Sequence, residues 1–362
     1  MPITLSQAKV GMSDKVVQLV IDEFRRDSFL LDRLIFDDAV SPGTGGSTMS
    51  YGYTRLLTPS MAQGRKLNEE YTPGEALREK ATADIKIFGG AFQVDRVLED
   101  TAAKSEIAFQ LQEKTKAAAN KFHYDVINGD SVVHETDFDG LDKLVAGSST
   151  EYAMKGYALT KDTDIIEGKE YFTKSGDTYS KVTTPAKADI ASYYELADQA
   201  IDLSDTQSIT ANAKKFAFAF DTWLSSFDGK PDMLLMNRRM KTIMGAIARE
   251  LKYYTQSEDS FGRKVDNYDG IPMVDLGEYY NGKETIPCVP IGETTGETSV
   301  FGVKLGLDGV HAISPRGGKV VNTYLPDMKA PGAVKKGEVE MLAGIVLKNS
   351  KKAGAFRKIK VM

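Results

Sequence analysis

The sequence predicts an α+β protein with a long two-stranded hairpin near its start and a small β-rich insertion in its middle. Three observations lead to this fold class. Apolar residues recur at helical spacing in three long segments. Two runs of alternating residues flank a long polar stretch after residue 40. From residue 268 onwards, short apolar runs separated by turn residues are typical of strands.

The first helical segment follows Ser13 and Asp14, either of which can cap a helix. The helical spacing falters near Asp27 and Ser28, so the pattern predicts two short helices rather than one. The apolar stripe consists of Val17, Val20, Ile21, Phe24, Leu31, Leu34 and Ile35.

The stretch SPGTGGSTMSYGYTRLLTPS, residues 41–60, begins with glycines and continues as a strand-like run over residues 48–57. A second alternating run covers residues 80–87, and the polar segment GRKLNEEYTPGE lies between the two. Together they predict an extended hairpin. Because an isolated two-stranded hairpin is only marginally stable in water, we expect this one to lie on a partner.

The longest helical pattern runs from Glu99 to Asn128 and predicts a rod roughly 40 Å long. Acidic residues favour a helix start near Glu99. Asn128-Gly129 predicts that the helix ends in a left-handed backbone conformation. Its narrow apolar stripe consists of Ala103, Ile107, Leu111, Ala118, Phe122 and Val126.

The second half of the chain changes character twice. Residues 151–185 are rich in Tyr, Thr, Gly and Lys and predict short strands, with a hairpin at SGDT. The helical signal returns at residue 189, although NAKKFAFAFDTWLSSF fits a strand and a helix equally well. KPDMLLMN predicts a short buried strand, and Asn237 is expected to cap the helix RRMKTIMGAIARELKYY.

Composition excludes several classes of protein. The 362 residues are 41% hydrophobic and 27% charged, which is ordinary for a globular chain with two or three domains. A net charge of -5 argues against a protein that coats nucleic acid, and no run approaches the length of a membrane span. Cys288 is the single cysteine, so an intrachain disulfide is impossible. With no signal peptide in the sequence, we expect synthesis in a reducing cytoplasm.

The search for metal and catalytic residues finds weak patterns. The three histidines, His123, His134 and His311, form no HxxxH or HExxH pair, so we expect surface or half-buried histidines rather than a zinc site. TDFDGLD, residues 136–142, starts like a calcium loop, but Ser148 stands where the final acid is needed. We therefore interpret it as a turn.

Three further motifs favour structural interpretations. GTGGST, residues 43–48, lacks the lysine of a phosphate-binding loop and is better explained as a hinge. Cys288 lies between prolines and is expected to be inert. The C-terminal basic run is interpreted as a solvated strand face, with nucleic-acid contact as the alternative. Its members are Lys348, Lys351, Lys352, Arg357, Lys358 and Lys360.

The order of these elements resembles the major capsid proteins of tailed bacteriophages, which share the Hong Kong 97-type capsid fold. The segment VGMSDKVVQLVIDEFRRDSFLLDRLIFDDAVSPGTGGSTMSYGY is similar to the entry from their N-terminal arm into their extended loop. FQVDRVLED is similar to the entry into the spine helix, and KPDMLLMNRRMKTIMGAIARE to a strand and helix of the axial domain. YDGIPMVDL and FGVKLGLDGV continue the likeness, which covers nearly the whole chain except residues 151–185.

The resemblance implies a domain organisation. It comprises an N-terminal arm (1–40), an extended loop (41–90), a peripheral domain with the spine helix (91–150), a β-rich insertion (151–188), an axial domain (189–300), and return strands of the peripheral and axial domains (301–362).

The resemblance also implies a function and residues that serve it. Copies of the chain would form pentamers and hexamers of an icosahedral virion shell around double-stranded DNA, with portal and scaffolding proteins as further partners and no membrane, cofactor, metal or catalysis. Gly43, Gly45 and Gly46 would be the hinge of the loop. Intersubunit loop contacts would involve Tyr51, Tyr53, Arg55 and Lys66, and the apolar residues of the arm would be buried only where subunits meet.

Some capsid proteins of this type cross-link a loop lysine to a neighbouring asparagine. Lys66 is the candidate lysine here, although an intersubunit salt bridge or plain solvation is favoured. Two alternatives to a phage capsid remain. One is an encapsulin-like nanocompartment, which shares the fold and holds enzymes. The other is an enzyme with a scattered active site.

Overall fold

The structure of the chain is a computed structural model that describes most of the sequence. The described residues are 3–10, 14–40, 46–58, 60–101, 105–153, 171–175, 178–182, 201–251, 255–258, 264–315 and 320–362.

Eight α-helices lie within the described residues. They are α1 (Leu5–Val10), α2 (Lys15–Asp27), α3 (Phe29–Arg33), α4 (Arg96–Thr101), α5 (Glu106–Asn128), α6 (Leu141–Leu144), α7 (Thr206–Ser225) and α8 (Arg238–Glu250). Five of them begin at a side chain that accepts a hydrogen bond from a first-turn amide, which satisfies one donor that the helix itself leaves unpaired. These caps are Asp14, Ser28, Ser105, Asp205 and Asn237.

Twenty strands lie in the same part of the chain. They are β1 (Ile3–Thr4), β2 (Ile35–Ala39), β3 (Ser50–Thr58), β4 (Leu77–Asp84), β5 (Lys86–Asp95), β6 (Glu151–Ala153), β7 (Tyr171–Ser175), β8 (Thr178–Val182), β9 (Ile201–Asp202), β10 (Met233–Met236), β11 (Thr255–Glu258), β12 (Lys264–Tyr268), β13 (Ile271–Asp275), β14 (Glu278–Tyr280), β15 (Thr285–Pro287), β16 (Glu297–Val303), β17 (Val310–Pro315), β18 (Val321–Tyr324), β19 (Val334–Leu347) and β20 (Ala353–Lys360).

A six-stranded sheet with the order β1-β2-β17-β19-β18 carries the first part of the structure, and β5 pairs along β19. Helix α5 packs on β5 and β19, and α2 packs on α5 and β18. The core between them is built from the arm helices, α5 and the sheet, with Phe24, Phe36 and Phe122 fully buried.

An eight-stranded sheet with the order β11-β12-β13-β10-β16-β20-β6 carries the second part, and β9 also pairs with β20. Its central strand β10 is buried on both faces, which explains its uninterrupted apolar sequence MLLM. Leu234 and Met236 face a core that contains α7 and α8, whereas Met233 and Leu235 face the core that contains α5. Because successive side chains of a strand point to opposite faces, β10 contributes side chains to both cores.

The turn between β12 and β13 has a simple chemical cause. Asp269 and Gly270 both have positive φ, at 48° and 76°. Two-residue hairpin turns of this type need positive φ at both positions, and Asp-Gly is a preferred pair for them. The sequence YDGI therefore fixes the antiparallel register of Asn267 with Pro272.

The N-terminal arm corrects one expectation. Its apolar residues were expected to be buried only between subunits, but Leu5, Val20, Ile21, Phe24 and Leu31 are buried within the chain. The reason is that β2 joins the sheet in parallel with β17, and this pairing places the arm helices against α5. Ile35, expected on the helical stripe, is the first residue of β2.

The long helix differs from its predicted form. Helix α5 begins at Glu106, where the extended Ser105 caps it, so α5 is about 34 Å long. Ala103 of the predicted stripe lies outside the described residues. The predicted left-handed end is wrong, because Gly129 has a φ of -57°. Glycine is needed there for another reason, since a Cβ at Gly129 would overlap the backbone oxygen of Phe138.

The middle of the chain also refines the prediction. Glu151–Ala153, expected in the insertion, form strand β6 of the eight-stranded sheet, and Ile201–Asp202 form strand β9 rather than helix. Both strands pair in parallel with the edge of β20 that faces away from β16. Strand β6 pairs with residues 355–357 and β9 with residues 359–360. The predicted SGDT hairpin is confirmed by the pairing of β7 with β8. The ambiguous run, residues 212–227, is helical as far as Ser225 in α7, because Phe216, Phe220 and Trp223 all face its core.

Candidate assembly surface

Strands β3 and β4 form a hairpin that leaves the six-stranded sheet. Their register runs from Ser50 opposite Asp84 to Thr58 opposite Leu77, which confirms that these two segments pair. The second strand lies slightly earlier than predicted, because the chain enters β5 at Lys86 and from there follows β19.

The outer end of the hairpin is exposed. Every residue from 60 to 80 is solvent-exposed, and residues 60–76, here called the hairpin tip, carry three large apolar side chains in water. Leu67 is 89% exposed, Met61 62% and Tyr71 59%. Apolar groups gathered on one projecting segment are typical of a surface that another molecule covers.

The hairpin tip has a defined local shape. Asn68 takes a left-handed conformation with a φ of 66°, and the amide of Glu69 donates to the carbonyl oxygen of Lys66. The Arg65 guanidinium lies 5.4 Å from the ring centre of Tyr71 and also donates to the Glu69 carbonyl oxygen. These contacts leave the Leu67 side chain pointing into solvent.

The inner end of the hairpin is buried against its own chain. Residues 46–53 and 81–85, here called the hairpin base, contribute Tyr53 and Ile85 to a small core with Ala39, Ile313 and Val346. This core is separate from the two larger ones. The same hairpin is thus fixed at one end and projects into solvent at the other.

A second exposed apolar surface lies at the start of the long helix. Val97 and Leu98 of α4 are each 60% exposed, Phe109 of α5 is 55% exposed, and Val334 at the start of β19 is 57% exposed. The backbone amide of Arg96 donates to Ala333, which brings α4 and the start of β19 together. The N-terminal half of the long helix therefore packs on one side only.

Comparison with known proteins gives structural likeness without sequence likeness. No family model matches the chain, and no curated protein sequence matches it. A chain of the holo-SrpI encapsulin complex from Synechococcus elongatus PCC 7942 is similar in structure, with a TM-score of 0.54 and 11% identity, over 99% of this chain and 96% of that chain. The chain has the Hong Kong 97-type capsid fold.

Weaker similarity extends to other particles. A chain from Mycobacterium phage Bobi matches with a TM-score of 0.43 and 14% identity, over 89% of this chain and 88% of its own. A capsid chain of a native GTA particle matches with a TM-score of 0.44 and 10% identity, over 86% of each chain.

The residues expected to serve the extended loop of this capsid fold lie in different environments. Gly43 and Gly45 are outside the described residues, and Gly46 is half-buried just before the hairpin base. Tyr51 and Tyr53 contact their own chain, whereas Lys66 is exposed at the hairpin tip. Arg55 lies between these regions, where its guanidinium is 3.9 Å from the Glu79 carboxylate. Their intersubunit contacts stay a prediction.

Tyr51 is the centre of a hydrogen-bonded chain that sequence reasoning missed. Its hydroxyl donates to Oδ2 of Asp37 at 2.6 Å, and Nζ of Lys348 donates to the same hydroxyl at 2.8 Å. The ring lies edge-on to His311, with 5.9 Å between the ring centres. No sequence signal marks this set, because Lys348 is 297 positions from Tyr51.

A buried ion cluster lies at the junction of the two cores of the capsid fold. Arg357 of β20 donates from Nε to Oε1 of Glu151 at 2.6 Å and also binds Asp142. A bulge next to it, with Lys358 at a φ of 61°, changes the side-chain alternation of β20 and lets Arg357 point inward. Burial raises the pKa of Glu151 to about 7, although the Arg357 charge favours its ionised form.

A second set of ion pairs surrounds the end of α5. Nζ of Lys121 lies 2.6 Å from Asp125 and 3.0 Å from Asp137, and Lys143 bridges Asp130 and Asp139 at 2.9 Å each. Burial raises the pKa of Asp125 to about 7. Asp137 and Asp139 of the TDFDGLD motif thus serve ion pairs, and Asp139 also accepts from the backbone amide of Ser131.

The other sequence candidates have structural environments. Ser28 Oγ lies 2.5 Å from His123 Nε2, but both residues are buried and Ser28 also caps α3. Burial raises the pKa of the Cys288 thiol to about 12. Within the described ranges, no group of three or more metal-binding side chains lies together, and none of the helices there is long and apolar enough to cross a membrane.

The C-terminal basic run is mostly neutralised within the chain. Arg357 is buried with its acidic partners, and Lys348 donates to Tyr51. Lys352 pairs with Asp308, Lys358 with Glu297 and Lys360 with Asp202. The alternative of a nucleic-acid contact along this run is therefore disfavoured, because paired lysines present little net charge to a phosphate backbone.

Proposed function

We propose that this chain is the subunit of a closed protein shell, which it builds by binding further copies of itself. The observation that carries the proposal is the hairpin with a fixed base and an exposed, apolar tip. A capsid fold alone does not determine function, so the argument rests on this surface.

The physical reason is the cost of leaving apolar groups in water. Burying a leucine side chain contributes about 1.5–3 kcal/mol. Leu67, Met61 and Tyr71 are each more than half exposed in the isolated chain. In the proposed shell, the surface of a second copy covers them. A shell repeats each such contact many times, so modest interfaces add up to a stable particle.

In its finer form, the proposal is a major capsid protein of a tailed bacteriophage. Pentamers and hexamers form an icosahedral virion shell around double-stranded DNA, after synthesis in the cytoplasm of a bacterial host, with portal and scaffolding proteins as partners. A net charge of -5 and the internally paired basic run support a wall that encloses DNA without gripping it. The role is mechanical rather than catalytic.

The second candidate is the shell of an encapsulin-like compartment with protein cargo. One observation favours it: a chain of an encapsulin complex matches this structure with a TM-score of 0.54 over 99% of this chain. The contents of purified particles separate the two. Nuclease-protected double-stranded DNA supports the phage head, and a copurified cargo protein inside the shell supports the compartment.

The test of assembly is the substitution Leu67→Asp. Leu67 contributes nothing to the folded subunit, so the melting temperature of the dissociated subunit is expected to be unchanged. A charge buried in every hairpin contact is expected to lower the yield of particles at least about tenfold. Negative-stain microscopy and size-exclusion chromatography measure the yield.

Gln63→Glu is the matched control, because it adds one negative charge at an exposed position of the same tip and is expected to leave particles intact. Wild-type particle yield from Leu67→Asp would show that the hairpin tip is not an assembly contact. A wild-type chain that stays monomeric or dimeric at high concentration, or that turns over a substrate, would instead support an enzyme with a scattered site.

A further inference from the structure

The hairpin base is attached by a short chain of side chains from three separate segments. Asp37 lies on β2, Tyr51 on β3, and Lys348 directly follows β19. The Tyr51 hydroxyl is the joint between the other two, with hydrogen bonds of 2.6 and 2.8 Å. Strands β2 and β19 belong to the six-stranded sheet, so this joint connects the hairpin to the sheet at two points.

Both hydrogen bonds of the Tyr51 hydroxyl have a side chain of an acidic or basic residue as the partner. Burial, followed by the hydrogen bond to Asp37, raises the pKa of Tyr51 well above its usual value, so the hydroxyl keeps its proton. It donates to a carboxylate and accepts from an ammonium group. Hydrogen bonds with one charged partner are about twice as strong as those between neutral groups.

Packing beneath the joint leaves little room for another hairpin angle. His311 is fully buried against the Tyr51 ring, and burial, aided by the Lys348 charge, lowers its pKa to about 4, so the ring is neutral near pH 7. Gly344 lets the hairpin approach β19, since a Cβ there would lie 2.5 Å from the backbone oxygen of Asp84. Tyr53 and Ile85 fill the space between.

We propose that Asp37, Tyr51 and Lys348 form a latch that fixes the angle between the hairpin and the six-stranded sheet. The latch sets the direction in which the hairpin tip meets a second copy of the chain, and this consequence rests on the shell function proposed above. Opening the latch loosens the attachment of the hairpin base to the sheet, and the tip that the base carries then varies in direction. The latch is a conformational control of assembly built into the subunit itself.

The test compares Tyr51→Phe and Lys348→Met with the wild-type chain by hydrogen–deuterium exchange. Phenylalanine keeps the ring that packs on His311 and removes the hydroxyl that joins the two charges. Loss of this joint is expected to speed amide exchange about tenfold in peptides covering residues 46–58 and 77–86. Peptides from α8 are expected to exchange as in the wild type.

Tyr71→Phe is the matched control, because it removes a hydroxyl from the exposed tip of the same hairpin. If Tyr51→Phe unfolds the subunit, Lys348→Met decides the question. Wild-type exchange of the hairpin in both variants would overturn the latch.

The assembly consequence is read separately, by microscopy of particle diameters. Faster hairpin exchange with mixed or altered diameters supports the control of assembly, whereas faster exchange with wild-type diameters overturns it. If no chain forms particles, including the wild type, the shell function fails while the exchange experiment still decides whether the latch exists.

Discussion

At the scale of single residues, the two buried histidines connect peripheral segments to the body. His123 of α5 contacts Ser28 between α2 and α3, and His311 of β17 contacts Tyr51 of the hairpin base. Burial lowers the pKa of each to about 4. From the sequence, surface or half-buried histidines were expected, and this expectation is wrong for His123 and His311. Their burial depends on the tertiary contacts of α5 and β17, which the local sequence pattern does not reveal.

The pH dependence of stability follows from these shifts. Between pH 6.5 and 4 a buried neutral histidine binds fewer protons in the folded than in the unfolded chain, so its contribution to stability falls as pH falls through this range. Asp125 and Glu151, with pKa values raised to about 7, act in the opposite direction because the folded chain binds the extra protons. A substitution isolates one histidine from these opposing effects.

We expect His123→Gln to be less stable than the wild type at pH 7, with a deficit that shrinks by about 2–3 kcal/mol at pH 4.5. Chemical denaturation at the two pH values measures the free energies of unfolding. His134→Gln is the control, since His134 is exposed. If the free energies of unfolding of the wild type and His123→Gln fall equally between pH 7 and pH 4.5, the lowered pKa of His123 is contradicted.

Residue-scale prediction succeeded where the signal is local. Asn237 was predicted as a helix cap, and its Oδ1 accepts from the amide of Met240 three positions away. Arg357 was expected on a solvated strand face, yet it is buried with partners 206 and 215 positions distant. Contacts between residues so far apart in the sequence produce no periodic pattern from which they could be predicted.

At the scale of elements, periodicity predicted type better than boundaries. Strand β10 and helix α8 were predicted from a buried apolar run and a 3.6-residue stripe, and both are confirmed. The end of α5 was predicted for the wrong reason, because Gly129 serves close backbone approach rather than positive φ. The loop that contains Phe138 returns to the end of α5 and approaches Gly129 closely. Residue spacing in the sequence does not reveal this contact.

Gly140 in that returning loop gives the element-scale prediction. Its amide donates to the Gly129 carbonyl oxygen, and an added Cβ would lie 2.6 Å from the carbonyl oxygens of both Asp125 and Ile127. We expect Gly140→Ala to lower the free energy of unfolding by about 1–3 kcal/mol, because the loop must move off the helix end.

Denaturant titration of the subunit measures this change. Gly64→Ala is the control, since a Cβ at Gly64 meets nothing within 4 Å and the change is expected to be near neutral. Equal stabilities of the two alanine variants would show that the loop adapts without cost.

At the scale of the whole molecule, the sequence predicted the α+β class and the hairpin but not the place of the arm. The apolar stripe of α2 shows which face is buried, and the structure places that face on α5 and β18 of the same chain. A periodic stripe identifies a face and not its partner. Most of the arm's predicted apolar stripe is thus buried within the chain, whereas Met61, Leu67 and Tyr71 of the hairpin tip remain exposed.

The Arg357 cluster gives the whole-molecule prediction, because it lies between elements of both cores. Arg357→Met leaves Glu151 and Asp142 without their buried cation, and we expect a loss of about 3–5 kcal/mol in the free energy of unfolding. Denaturation followed by Trp223 fluorescence reports the core around α7, and near-ultraviolet circular dichroism reports both cores.

Lys360→Met is the control, because its pair with Asp202 is partly exposed, at 42% for each side chain, and such pairs contribute little. A stability loss for Arg357→Met no larger than that of the control would mean that the cluster does not hold the two cores together.

Strands β6 and β9 run in the same direction along one edge of β20, and they pair with residues only two positions apart, Arg357 and Ile359. Ala153 and Ile201 are thus roughly 7 Å apart, about the length of two strand residues. Residues 154–200 interrupt what is otherwise one edge strand. We therefore expect the chain to accept a foreign polypeptide with neighbouring termini between Ala153 and Ile201, because both ends lie on the same edge of β20.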